Sequence, residues 1–272
     1  MPTILITGAT DGIGRQTAHD LAATGADLIV HGRSADKLER LVDELGRVRG
    51  HGQLASVRAD LSDLEQVRAL ATEVLERFPS LDVLLANAGV LMTEYVTTPQ
   101  GHETTWAVNV LAPMLLTHLL LPRLREGKDG GRVVNVSSVA HNRGSADWDA
   151  VDSPRGFSSY GAYARSKLAL TMLTAELARR VDERPLMVSL HPGVVSTKLL
   201  KAGFDMEGPD SLKEGAATSV YAATAPISKL AAHQGGFFTR CQPSAMHPLA
   251  HDEKACAELY SLVCRSLDIT AV

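Results

Sequence analysis

Aromatic side chains are scarce in this chain, 4% of 272 residues, too few for the stacked platforms that hold single-stranded nucleic acid. Excess positive charge is missing as well. The formal net charge is −4 and the pI about 6.2, so neither nucleic acid nor an anionic membrane is expected as a partner. Cysteine is limited to Cys241, Cys256 and Cys264. Three thiols without a CxxC pair exclude a disulfide framework and point to reduced cysteines in a cytoplasmic protein. The longest apolar runs are broken by Pro, His or charge, so no membrane span is expected. A strand begins at once in MPTILITG, so no signal peptide is expected either. His247, His251 and Cys256 have the inventory of a metal site, but Pro248 disfavours a helical pair and the spacing matches no zinc pattern. No metal is expected.

What the sequence has in quantity is alternation of strand and helix patterns. Residues 3–7, TILIT, are a β-branched run, followed by GATDGIG and the helical RQTAHDLAATG. Gly8 allows a tight turn, and Gly12 and Gly14 let backbone approach a pyrophosphate at the helix N-terminus, where free N–H groups and the helix dipole attract anions. The second strand, ADLIVHGRS, ends in His31-Gly32-Arg33. An acid that would bind a ribose 2′-hydroxyl is missing there, and Arg33 is suited to a 2′-phosphate instead; Asp11 adds opposing charge nearby. The third strand ends in Asp60-Leu61, candidates for contact with an adenine ring, with Ser62 or Asp63 capping the next helix. The fourth ends in Asn87-Ala88-Gly89, small enough for a cofactor to lie against.

A helical pattern then runs from about Glu103 to Leu124. It carries Asn109, which needs hydrogen-bond partners in so apolar a helix, and Pro113 as a candidate kink. The fifth strand, GRVVNVSSVA, delivers Ser137 and Ser138. The segment after it reads as a loop long enough to be functional, with Trp148 and Phe157 placed to cover a substrate. A sixth strand, LMVSLHPG, leads into a Gly- and Pro-punctuated stretch, then GGFFTRC as a final strand and HDEKACAELYSLVCRSL as a closing helix. With no repeat or linker, the chain reads as a single α/β domain over 1–272, a doubly wound parallel sheet with helices on both faces. Substrate loops are expected near 139–160 and 196–217.

The stretch Tyr160-Gly-Ala-Tyr163-Ala-Arg-Ser-Lys167 opens the apolar helix LALTMLTAELA. On a helix, Tyr163 and Lys167 are i and i+4 neighbours on one face. A cation beside the phenol lowers its pKa towards the range of a working acid or base. Tyr160 also shares the face, but two turns put it about 10 Å along the axis, too far for ion pairing. The strand ends that carry Gly8, Arg33, Asp60, Asn87, Ser138 and His191-Pro192-Gly193 are where open α/β sheets bind ligands.

Taken together, TGATDGIG, NAG at 87–89, Asn109, NVSS at 135–138, YARSK at 163–167 and HPG at 191–193 resemble the short-chain dehydrogenase/reductase family over essentially the whole chain. The compact branch fits better than the extended one, whose glycine spacing differs. VVNVSSVAH, HPGVVSTKL and GGFFTRC are similar to retinol dehydrogenases and their WW-domain oxidoreductase relatives. The resemblance implies a Rossmann fold and hydride transfer between a nicotinamide cofactor and a carbonyl/alcohol pair. Tyr163 is then the proton donor or acceptor, Ser138 rather than Ser137 holds the substrate oxygen, and Lys167 lowers the Tyr163 pKa and binds the nicotinamide ribose. Asn109 holds a water that links Lys167 to solvent. The cofactor, NADP in preference to NAD, is implied to lie along Gly8, Thr10, Asp11, Gly12, Ile13 and Gly14. It continues past Arg33, Asp60, Leu61, Asn87, Ala88 and Gly89 to Tyr163, Lys167, Pro192, Gly193, Val195 and Thr197. The partner implied is a small carbonyl or alcohol, and the assembly a homodimer or homotetramer. Competing readings are a non-catalytic NADP-binding sensor or scaffold, and an epimerase or C=C reductase on the same fold.

Overall fold

The structure, a computed structural model, describes residues 1–181, 184–204 and 207–272. The first half alternates β1 (Thr3–Ile6), α1 (Gly12–Ala22), β2 (Asp27–Gly32), α2 (Ala35–Leu45), β3 (Leu54–Arg58), α3 (Leu64–Arg77) and β4 (Val83–Ala86). A long helix follows in three parts: α4 (Thr104–Trp106), a π-helical segment at Ala107–Leu111, and α5 (Ala112–Arg125). The second half runs β5 (Arg132–Val136), α6 (Ser159–Arg180), β6 (Leu186–His191), α7 (Lys198–Phe204), α8 (Leu212–Thr224) and α9 (Ile227–Leu230). It closes with β7 (Phe237–Thr239), β8 (Gln242–Ser244) and α10 (Glu253–Leu267).

The strands form one sheet in the order β3-β2-β1-β4-β5-β6-β7-β8. All neighbours are parallel except β7 and β8. The order in which successive strands are added reverses between β1 and β4, which opens a crevice above their carboxyl ends. Each central strand is buried on both faces, and its side chains alternate between two cores. Leu5, Ile29, Leu84, Val133 and Met187 meet α3, α5, α6 and α10 on one side. Ile4, Ile6, Val30, Leu85 and Val188 meet α1, α2 and α8 on the other.

Three departures from the sequence reading have local causes. The closing strand is a hairpin, whose second arm, Gln242–Ser244, is fully exposed and so carries no apolar pattern. The kink near Pro113 takes the form of the π-helical turn before it, because proline has no N–H for the next α-helical bond. The helix Thr104–Arg125 is long and apolar enough to cross a membrane by length and composition, contrary to expectation; 83% of its most apolar window is buried inside the domain. The long segment before α6 is also tied down. Asp152 accepts from the Glu103 N–H at 2.8 Å and lies 2.8 Å from His102 Nδ1. Trp148 packs on Trp106 at 6.1 Å and Phe157 on Tyr95 at 5.7 Å. Those two aromatics therefore pin the loop down, and neither is among the residues that line the cleft at the strand ends.

Candidate active site

A cleft of about 710 Å³ lies above the crevice, bounded by the ends of β1, β2, β4, β5 and β6 and by α6 and α7. Its volume falls in the range of roughly 300–1,000 Å³ typical of ligand sites. Every residue expected to hold the cofactor lines it, together with Ser138, Tyr163 and Lys167. Asn109 does not.

The glycine loop has the geometry its sequence implies. Gly8 sits at φ +66°, and a Cβ on Gly14 would lie 2.3 Å from both the Gly8 carbonyl and Asn87 Nδ2, so only glycine permits that approach. Asp11 caps α1, accepting from the Gly12 N–H at 3.0 Å. Lys198, then Lys37, hold its carboxyl below the usual carboxylate range and offset its charge. Asn87 works from behind, with Nδ2 donating to the Thr7 carbonyl at 2.8 Å, while Thr7 Oγ1 accepts from the Ala88 N–H at 3.0 Å. At the end of β2, Arg33 is 70% exposed with Nη1 3.8 Å from Asp60. Asp60 itself forms a turn, accepting from the Ser62 N–H at 2.9 Å, and Asp63 is the residue that caps α3.

Ser158 caps α6, accepting from the Gly161 N–H at 3.3 Å, and this start sets which face carries Tyr163. The Tyr163 hydroxyl is hydrogen-bonded to Ser138. Ser137 turns away, with Oγ donating to the Lys167 carbonyl at 3.0 Å, and Ser138 is the serine at the Tyr163 hydroxyl. Lys167 Nζ donates to the Val136 carbonyl at 2.9 Å and lies 5.6 Å from the centre of the Tyr163 ring. The expected lowering of the phenol pKa is corrected here. Burial pushes Tyr163 up to about 12, with the Ser138 bond acting against it, and burial pushes Lys167 down to about 8. Desolvation outweighs a cation 5.6 Å from the ring centre.

Asn109 lies just behind Gly89, where a Cβ would be 3.4 Å from both Asn109 Oδ1 and Lys167 Nζ. Its Oδ1 accepts from the Val90 N–H at 2.8 Å, and its Nδ2 donates to the Val90 carbonyl at 2.9 Å and to Ser166 Oγ at 3.0 Å. The side chain thus joins the long helix, the β4 exit and α6.

Three histidines have surroundings that the sequence did not reveal. His31 Nδ1 accepts from the Gly8 N–H at 3.2 Å, so its proton is on Nε2, which faces the Ala59 carbonyl at 3.1 Å. Burial pushes its pKa down to about 4, keeping this staple between the glycine loop and β2 neutral. His141 Nδ1 donates to the Ser138 carbonyl at 2.6 Å while its Nε2 is buried without a partner among the described residues. His191, on the cleft wall, is pushed down to about 4 by burial. No sequence spacing marks the His31 staple, which depends on backbone groups of the glycine loop and of the β3 exit. Among the described residues no cluster of His, Cys, Asp and Glu could hold a metal.

The cleft's run of backbone from the glycine loop to Thr197, with Arg33, Tyr163 and Lys167 along its walls, fits a nicotinamide dinucleotide in chemistry. The comparisons agree. A family model described as short chain dehydrogenase matches residues 2–208. The chain is 36% identical over 279 residues to retinol dehydrogenase 12 of Bos taurus, covering 98% of this chain and 86% of that one. It is also 36% identical over 276 residues to a provisionally named daunorubicin C-13 ketoreductase, DnrU, of Streptomyces sp. (strain C5), covering 99% and 93%. A provisionally named short chain dehydrogenase of Escherichia coli CFT073, solved with NADPH, superposes with a TM-score of 0.72 at 28% identity, covering 89% of this chain and 97% of that one. With the fold, the cleft and these relatives in agreement, the chain belongs to the short-chain dehydrogenase/reductase family, in its retinol dehydrogenase-like group, and is an oxidoreductase.

Proposed function

We propose that the protein reduces a carbonyl compound, or oxidises the matching alcohol, with NADP preferred over NAD. The observation that carries this reading is the hydrogen-bonded Ser138–Tyr163 pair beside Lys167, in a cleft that also presents Arg33. The nicotinamide cofactor supplies the hydride and accepts it in the reverse direction. Tyr163, held protonated by burial, gives its proton to the substrate oxygen during reduction and recovers it during oxidation. Ser138 holds that oxygen and keeps the phenol aimed at it. Lys167 carries positive charge below about pH 8, close enough to stabilise the phenolate left after proton transfer and to bind a ribose hydroxyl. Asn109 fixes the helix turn beside Lys167. A water held beside Asn109 would lead from Lys167 to solvent.

The NADP preference rests on the absence of an acid at the end of β2, on the exposed Arg33, and on the pairing of Asp11 with Lys37 and Lys198. The NADPH in the Escherichia coli neighbour supports the same choice. Arg33→Glu should weaken NADPH at least about tenfold more than NADH; an unchanged cofactor ratio in parallel fluorescence titrations would overturn the assignment.

The substrate end is apolar. Leu91, Ala140, Tyr163 and Ala164 form a small cluster with Leu199 against it, and from the expected substrate loops Val139, Ala140, Arg143, Tyr160, Thr197, Lys198, Leu199 and Leu200 line the cleft. A cytoplasmic location is part of the proposal, supported by three free thiols. Homo-oligomerisation would have to use a surface other than the apolar face of α6, which α10 covers with Cys256, Leu259, Tyr260 and Val263.

A further inference from the structure

Four cationic side chains line the cleft, and three have partners. Arg33 faces Asp60, Lys198 is paired with Asp11, and Lys167 donates to the Val136 carbonyl. The fourth, Arg143, is exposed and has no hydrogen-bond or ion-pair partner among the described residues. Neither Asp147 nor Asp149, exposed on the same loop, reaches it. Its backbone is well placed. It ends the 3-10 turn Val139–Arg143 that begins one residue after Ser138. The next residue, Gly144, is pressed onto α6, where a Cβ would lie 2.6 Å from Leu168 Cβ and 2.7 Å from the Ala164 carbonyl. This holds the Val139–Arg143 turn against α6 near Ala164 and Leu168, with Arg143 in the wall of the cleft on the Ser138 side.

The wall around it is apolar and open. Val139 and Tyr160 are 44% and 41% exposed, two of the few large hydrophobic side chains left to solvent, and both line the same cleft as Leu199 and Leu200. An apolar chamber at Tyr163 with an unpaired guanidinium at its mouth complements a molecule with an apolar body and an anionic end. A wholly apolar substrate would leave the guanidinium idle.

Resting on the carbonyl-reductase reading above, we propose that the substrate carries a carboxylate remote from its reacting carbonyl, and that Arg143 binds that carboxylate. The test uses NADPH oxidation with matched pairs: 4-carboxybenzaldehyde against its methyl ester, and a twelve-carbon ω-oxo acid against its methyl ester. For at least one pair the acid should have kcat/KM about five- to tenfold above the ester, carried by KM. Arg143→Gln should bring that ratio close to one, and Arg143→Glu should invert it. Acids and esters turned over equally by the wild type, or a ratio untouched by Arg143→Gln, would overturn the Arg143 assignment and leave the carbonyl reading standing. No turnover of any of the four compounds would overturn both.

Discussion

Lys167 is fully buried, and that burial sets the electrostatics around it. Its folded pKa of about 8 lies below the unfolded value of 10.5. Between those two values the unfolded chain holds a proton that the native state has given up, so stability rises with pH across that window. Below pH 8 the cost of the buried charge is present in full. Lys167→Met should therefore be more stable than wild type at pH 7, on the order of 3 kcal/mol. That advantage should shrink as pH rises from 8 to 10.5. Urea melts of both proteins across this range would show it, and a constant difference would contradict it. At this scale the sequence showed much of the site. Tyr163 and Lys167 are four apart on a patterned helix, and the glycines are spaced for a phosphate loop. The paths of Lys167 Nζ to Val136 and of His141 to the Ser138 carbonyl were hidden, because both end on backbone atoms contributed by β5 or its exit.

Elements with a strong period were legible: β1, β2, β5, β6, the helix Thr104–Arg125, α6 and α10 overlap the expected stretches, and α1 begins three residues earlier than expected, at Gly12. The misreadings concern elements whose formation depends on tertiary partners. α7 sits within a glycine- and proline-punctuated stretch, and the π-helical turn at Ala107–Leu111 follows from Pro113 acting at a distance. The β7–β8 hairpin is the clearest case. Its two-residue turn, Arg240-Cys241, has φ of 49° and 60°, the mirror-image turn that usually carries Asn-Gly. Left-handed backbone costs an L-residue roughly 1–2 kcal/mol, so Cys241→Gly should raise stability by about 1 kcal/mol in urea melts. An unchanged or lower midpoint would show that Cys241 makes contacts that outweigh the strain.

The whole molecule places its chemistry by topology. Six parallel strand ends bring a phosphate loop, an arginine, a serine and a buried Tyr–Lys pair to one crevice, although their residues are spread from Gly8 to Thr197. The alternation of strand and helix made this arrangement legible before any geometry. The apolar shape of the substrate end was not, since it depends on how 139–143 and 198–204 fold back over Leu91 and Tyr163. The central claim is that Tyr163 moves the proton while the rest of the cleft holds the cofactor. The most direct test measures NADPH binding by fluorescence and carbonyl-dependent NADPH oxidation on wild type and Tyr163→Phe. The account predicts nearly equal binding and a fall in turnover of about 10²–10⁴-fold. Turnover that survives the substitution, with binding intact, would contradict it.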